Sequence, residues 1–363
     1  MLGISGCGLF GGNDKKPQPL PAIVSPDALT ISWSASVGKS GGFLFSPAFG
    51  DKLIFAATNE GKVLALAEEG GRIVTKIDAK TPLTSGVGVA DDIVVVAGGK
   101  GEVLAFDTAG RLLWKTPVNG EVLAPPAIAS GTVIVRTTDG RILALGRIDG
   151  KRRWVFQRAT PALTLRTNAG VTVSRGTIYA GYPGGKMLAI ELDSGKPTWE
   201  ASLSLPRGAT ELERIADVSG FPLLDDSRIC GAVYQGRTGC LETLSGNVLW
   251  SREISSANGV SVDARLLYVT DVAGNVLALD KASGATVWKQ EKLVNRDPGL
   301  PLAHKGKVLV GDAAGLVHIL STDDGNLIGR ISTDGSRIRS LVSNGDRAIV
   351  QTDKGGIFAL AVK

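Results

Sequence analysis

The sequence predicts an all-β protein, an eight-bladed β-propeller of four-stranded antiparallel blades closed by pairing its N- and C-terminal strands. Three observations carry this. A frame typified by GNVLALDKASGATVW (Gly274 to Trp288) recurs at Gly140 to Trp154, Gly185 to Trp199 and Gly236 to Trp250, and one residue shorter at Gly101 to Trp114. In every copy the second glycine stands four residues before the tryptophan. Two ringless copies keep that spacing, Gly61, Gly71 and Thr75, then Gly315, Gly325 and Gly329, so the units follow one another at about forty residues. Finally, the last unit stops short of its Trp-bearing outer strand, and a strand with an otherwise unplaced tryptophan, Trp33, stands near the start.

Each part of the frame has a physical reason. Glycine permits the positive φ of a tight hairpin turn, and the Leu-Ala-Leu strand packs large and small side chains between stacked sheets. The tryptophan offers a large apolar plate and one N–H donor, suited to bridging a blade and the turn of the next. One blade cannot bury its own faces, so several must close into a ring. The terminal unit supplies strands at Ile338 to Val342, Ala348 to Thr352 and Ile357 to Val362, and Leu29 to Val37 completes it. That pairing removes a pair of open edges.

From residue 1, the chain divides into a remnant of a signal peptide (1–7), a flexible proline-rich tether (8–26) and the propeller (27–363). Ile4-Ser5-Gly6-Cys7 resembles the lipobox of bacterial lipoproteins, which makes Cys7 the candidate lipidation site. Only six residues precede Cys7, fewer than the basic region and about 7 to 15 apolar residues of a signal peptide, so the alternative is a free cysteine in a tail. The polar, proline-rich Asn13 to Ala28 that follows is of the kind that holds a domain off a membrane and favours the lipobox. No later segment has 18 continuous apolar residues, so anchoring would rest on acyl chains.

Charged residues make up 21% of the chain and the net charge is +5, with no basic run interleaved with aromatics. That speaks against nucleic acid as a partner. Cys230 and Cys240 fall on adjacent strands of the fifth blade and either face each other as a disulfide or lie as two buried thiols, depending on register. His304 and His318 have no Cys or Glu at ligand spacing, so no metal is expected. Gly38-Lys39-Ser40 fails as a phosphate loop because its required first glycine falls on Trp33. No nucleophile, base and acid set can be assembled, so no catalytic residue is expected.

The specific feature lies between blades. Trp114 to Gly131 is 17 residues, Trp154 to Gly176 is 22 and Trp199 to Ser227 is 28, so two successive connections are long, by 5 and 11. Both leave an outer strand for the next inner strand, which places them side by side on one face. Their sequences, PALTLRTNAG (Pro161 to Gly170) and SLPRGATELERIADVSGFP (Ser204 to Pro222), hold Leu and Arg where tolerated loop growth would hold Ser, Asn and Asp.

The repeat resembles that of the PQQ-like, WD40-like propellers, whose enzymes are larger and carry adjacent cysteines and a metal cluster that this chain lacks. LTLR followed by TNAGV, then TELERIADVSGFP, is similar to the two hallmark loops of the BamB family, the propeller lipoproteins of the outer-membrane β-barrel assembly machine. The resemblance implies a non-catalytic scaffold without cofactor, lipid-anchored on the periplasmic face of the outer membrane. Gly8 after Cys7, in place of Asp, fits that sorting. It implies as partners the POTRA domains of BamA, other members of the complex and nascent outer-membrane proteins. Carried onto this sequence, the partner-binding residues are Leu163, Leu165, Arg166, Arg214 and Asp217, with Ser219 standing where family members often have a second acid. The competing reading is a periplasmic propeller enzyme of the quinone-dependent dehydrogenase type.

Overall fold

The computed structural model describes residues 17–23 and 29–362, so Cys7 and most of the expected tether lie outside the described residues. The described strands form eight four-stranded antiparallel sheets. Blades 1 to 7 are consecutive in the chain, at residues 48–78, 83–117, 127–156, 171–202, 218–252, 260–290 and 302–332. Blade 8 takes Ile338–Ser343, Ala348–Thr352 and Gly356–Val362, with Leu29–Ser36 as its outer strand. Leu29 pairs with Val362 and Ser36 with Gly356, the closure expected from the incomplete last unit.

The core lies between blades, because each sheet is apolar on both faces. Eight clusters stand between the eight neighbouring pairs: Phe55 of blade 1 meets Val94 and Phe106 of blade 2, and Ile349 and Ile357 of blade 8 meet Ile54 and Leu66 of blade 1. Each such side chain contributes about 1.5–3 kcal/mol when fully buried.

The repeated frame links each blade to the next. Trp33, Trp114, Trp154, Trp199, Trp250 and Trp288 donate their indole N–H to the carbonyls of Glu68, Arg147, Leu192, Thr243, Lys281 and Thr322, all in the next blade's outer hairpin turn, at 2.8–3.0 Å. Each ring lies over the frame's second glycine in that turn, and a Cβ added at Gly71, Gly150, Gly195, Gly246, Gly284 or Gly325 would fall 2.3–2.7 Å from it. Those glycines have positive φ, so the position requires glycine twice over. Across the sheet a small residue faces the ring: Ala359, Ala105, Ala144, Ala189, Cys240 and Ala278.

The two ringless copies are explained by their neighbours. Thr75 faces the shortened turn of blade 2, where Gly110 is met by Ile77 and Thr75 at ordinary contact distance. Gly329 faces blade 8, whose outer turn is replaced by the two chain ends, and the larger Ile319 pairs with it across the sheet. Cys230 and Cys240 are direct cross-strand partners in blade 5 and are disulfide-bonded, which settles the open choice.

Candidate partner-binding site

The long connections are residues 157–170, from blade 3 to blade 4, and 203–217, from blade 4 to blade 5. They are adjacent, as their spacing predicts, and they are tied together. The Leu165 N–H donates to Asp217 Oδ2 at 2.6 Å, and Gly170 N–H donates to the Gly220 carbonyl at 3.1 Å. Phe221 lies so close to Gly170 that any Cβ there would strike its ring. Arg136, on the blade 3 strand Thr132–Arg136, reaches up and donates from Nη1 to the Gly170 carbonyl at 3.2 Å.

Between the loops lies a cavity of about 30 Å³ whose lining includes Arg136, Thr137, Thr164, Leu165, Thr167 and Asp217. It is large enough for ordered water, which needs roughly 10–15 Å³ and polar partners. Burial raises the Asp217 carboxyl pKa above its ordinary value, while the Leu165 and Gly184 N–H groups and Arg136 pull the other way. Asp217 is thus a buried tie between the loops. The five candidate residues therefore split into two kinds. Leu165 is half-buried and Asp217 buried, and both position the loops; Leu163, Arg166 and Arg214 are exposed.

Arg166 is held in place. Nε and Nη2 donate to Glu121 Oε2 and Oε1 at 3.0 and 2.5 Å, a bidentate pair, and the guanidinium lies 5.6 Å over the Phe43 ring. Its hydrogen bond to Glu121 raises the Arg166 pKa. Its side chain remains 61% exposed, so Nη1 is available to an incoming carbonyl or carboxylate. Glu121 comes from the connection between blades 2 and 3, and Phe43 from that between blades 8 and 1. Four connections thus converge on one face.

In the second loop, Thr210-Glu211-Leu212-Glu213 closes a capping box. The Glu213 carboxylate accepts from Ala209 N and Thr210 N at 2.8 and 3.0 Å, and Glu213 N donates to Thr210 Oγ1 at 3.2 Å. The turn leaves Leu212 67% exposed; Leu205 in the same loop is 64% exposed and Leu163 in the first loop 44%. Arg214 has no side-chain partner among the described residues, and Asp217 binds Leu165 in its place. Ser219 is fully buried, with Oγ 2.8 Å from the Ser256 carbonyl and 3.2 Å from that of Ala232, so it belongs to the junction of blades 5 and 6.

Sequence reasoning missed Glu121 and Phe43, which are remote in the chain from Arg166 and carry no local signal. It also passed over Leu205 and Leu212, although the Thr-x-x-Glu of the capping box was readable. Elsewhere, His318 Nε2 lies 3.0 Å from Asp312 Oδ2 and His304 Nδ1 2.9 Å from Ser343 Oγ, both buried within blade packing. Among the described residues no group of three or more His, Cys, Asp or Glu could hold a metal ion.

The family profile described as outer membrane protein assembly factor BamB matches residues 59–290 and 273–363. The outer membrane protein assembly factor BamB of Nitrosomonas eutropha is 40% identical over 333 residues, 91% of this chain and 81% of its own. That of Burkholderia pseudomallei is 37% identical over 350 residues, 95% of this chain and 92% of its own. The crystal structure of BamB from Moraxella catarrhalis superposes with a TM-score of 0.85 at 26% identity, covering 92% of this chain and 99% of that one. A quinohemoprotein alcohol dehydrogenase from Pseudomonas putida shares the fold alone, with a TM-score of 0.73 at 13% identity over 96% of this chain and 79% of its own.

Proposed function

The chain belongs to the BamB family of outer membrane protein assembly factors, and from that membership we propose that it is a scaffold whose paired loops bind the periplasmic POTRA domains of BamA. The role is non-catalytic: the relatives of substantial identity are named as assembly factors, and dehydrogenases resemble the chain in fold only. The observation that carries the reading is the loop pair itself. Exposed Leu163, Leu205 and Leu212 stand beside two arginines with donors to spare, on loops braced by the Leu165–Asp217 bond and the Glu121–Arg166 pair. An apolar patch around desolvatable arginines, prebuilt so that little ordering is needed, is what a protein-binding hot spot requires.

As a member of the family the chain is associated with the outer membrane. The periplasmic orientation, the anchor on Cys7, the division into signal remnant, tether and propeller, and contact with nascent outer-membrane proteins are parts of the proposal. Cys7→Ser should move the protein from the membrane to the soluble fraction with its melting temperature unchanged; membrane retention of that variant would end the lipobox reading. For the loops, Arg166→Ala combined with Leu163→Ala should abolish capture of purified BamA periplasmic domains while circular dichroism stays that of wild type. Undiminished capture would move the interface elsewhere on the propeller.

A further inference from the structure

Pro17, Pro19 and Pro21 alternate with Gln18, Leu20 and Ala22, a pattern that holds the backbone near polyproline II and leaves little conformational freedom to lose on docking. Residues 17–23 rest on the propeller. Leu20 is half-buried against the cluster between blades 6 and 7 that contains Tyr268, Trp288, Val308 and Leu320. The Pro21 carbonyl accepts from Arg330 Nη2 at 3.3 Å, and Arg330 lies on the outer strand of blade 7, Leu327–Ser332. The Arg330 guanidinium needs that acceptor. Its Nε is buried without a partner, its pKa is lowered by burial and then by the neighbouring Arg296, and Pro21 provides its hydrogen bond among the described residues. A partly buried cation stripped of its acceptor is costly, so the segment and the propeller stabilise each other.

We infer that residues 17–23 are a strap that fixes where the chain's N-terminal end leaves the propeller. The docking stands on its own contacts; its consequence for membrane geometry rests on the proposed anchor at Cys7. With the strap seated, the span from Cys7 to the propeller is ten residues, to Pro17, in place of 22, to Leu29. Its reach falls from about 75 Å to about 35 Å. This span starts from the edge between blades 6 and 7, two blades around the ring from blade 5, where the second long loop ends, and four from blade 3, where the first begins. The bilayer therefore holds the disc at blades 6 and 7, and the paired loops stand clear of that point, over blades 3 to 5.

Two measurements test this. In the soluble Cys7→Ser chain, where Cys230 and Cys240 are bonded to each other, a nitroxide on Gln18→Cys should give an immobilised spectrum. Leu20→Asp should convert it to a mobile one, with circular dichroism unchanged and the melting temperature lowered by the lost Pro21–Arg330 contact; a mobile spectrum without Leu20→Asp overturns the strap. On vesicles, energy transfer from a dye on the propeller to labelled headgroups reports its height. About twenty Gly/Ser residues inserted within 8–16 should raise the propeller by on the order of 10 Å, whereas the same insertion within 24–28 should leave it in place. Equal effects from the two insertions overturn the strap. A chain that never reaches the vesicles yet keeps its immobilised spectrum supports the strap and refutes the anchor.

Discussion

Replacing Gly284 with alanine separates two costs that the repeat imposes at one position. Gly284 has φ +71, and its added Cβ would fall 2.3 Å from Cε3 of Trp250, a ring only 7% exposed. Gly110 also has positive φ, +94, but its Cβ would meet nothing closer than Ile77 at 3.4 Å. An L-residue in the left-handed region costs about 1–2 kcal/mol, which both variants incur. Only Gly284→Ala adds overpacking, about 1–3 kcal/mol more. Urea unfolding followed by circular dichroism should therefore show Gly110→Ala destabilised by about 1–2 kcal/mol and Gly284→Ala by about 2–5. Trp250→Ala alone should cost about 3–5 kcal/mol, since a large buried ring leaves a cavity. In the double variant the clash vanishes, so its loss should fall short of the sum by about 1–3 kcal/mol. Equal losses for the two glycines, or strict additivity of Gly284→Ala with Trp250→Ala, would show that the ring does not rest on the turn.

Two further outcomes follow from the buried charges. Asp217→Asn keeps an acceptor for Leu165 N–H while removing a carboxylate that burial disfavours, so it should match or exceed wild-type stability at neutral pH, and Asp217→Ala should lose the loop tie and weaken partner capture. Weaker capture by Asp217→Asn than by Asp217→Ala would contradict the tie. Burial lowers the His318 pKa against the opposing pull of Asp312, with Arg330 and Arg296 lowering it further. The unfolded chain thus binds the proton more readily, and His318 contributes stability that is full above its ordinary value near 6.5 and is lost as pH falls below it. Urea midpoints at pH 7.5 and 5 should converge in His318→Gln relative to wild type, leaving the share of His304, whose pKa burial also lowers. An unaltered difference between the two midpoints would place the acid sensitivity elsewhere.

The fold was legible because the signal is written many times. Gly and Trp at fixed spacing encode a contact between neighbouring blades, and even the exceptions at Thr75 and Gly329 follow from a shortened turn and a missing one. The site was legible only in outline. Loop length and composition pointed to residues 157–170 and 203–217, but they could not separate exposed Leu163 from half-buried Leu165, because both alternate along one irregular stretch. Nor could they assign the partner of Asp217, which lies in the other loop. Glu121 is 45 residues from Arg166 and reaches it across blade 3 from the preceding connection, a relation that no local pattern carries.

The partner surface is best decided by titrating the BamA periplasmic domains, near physiological salt, into the intact chain and its variants. Arg166→Ala with Leu163→Ala should raise Kd by about thirtyfold or more, the equivalent of a hot-spot loss of about 2 kcal/mol. Ile148→Ser with Leu244→Ser removes two far more exposed apolar side chains, 89% and 87%, from outer hairpin turns on the opposite face, and should leave Kd unchanged. A loop variant within twofold of wild type, or a loss of affinity in the turn variant, would contradict the assignment of the paired loops.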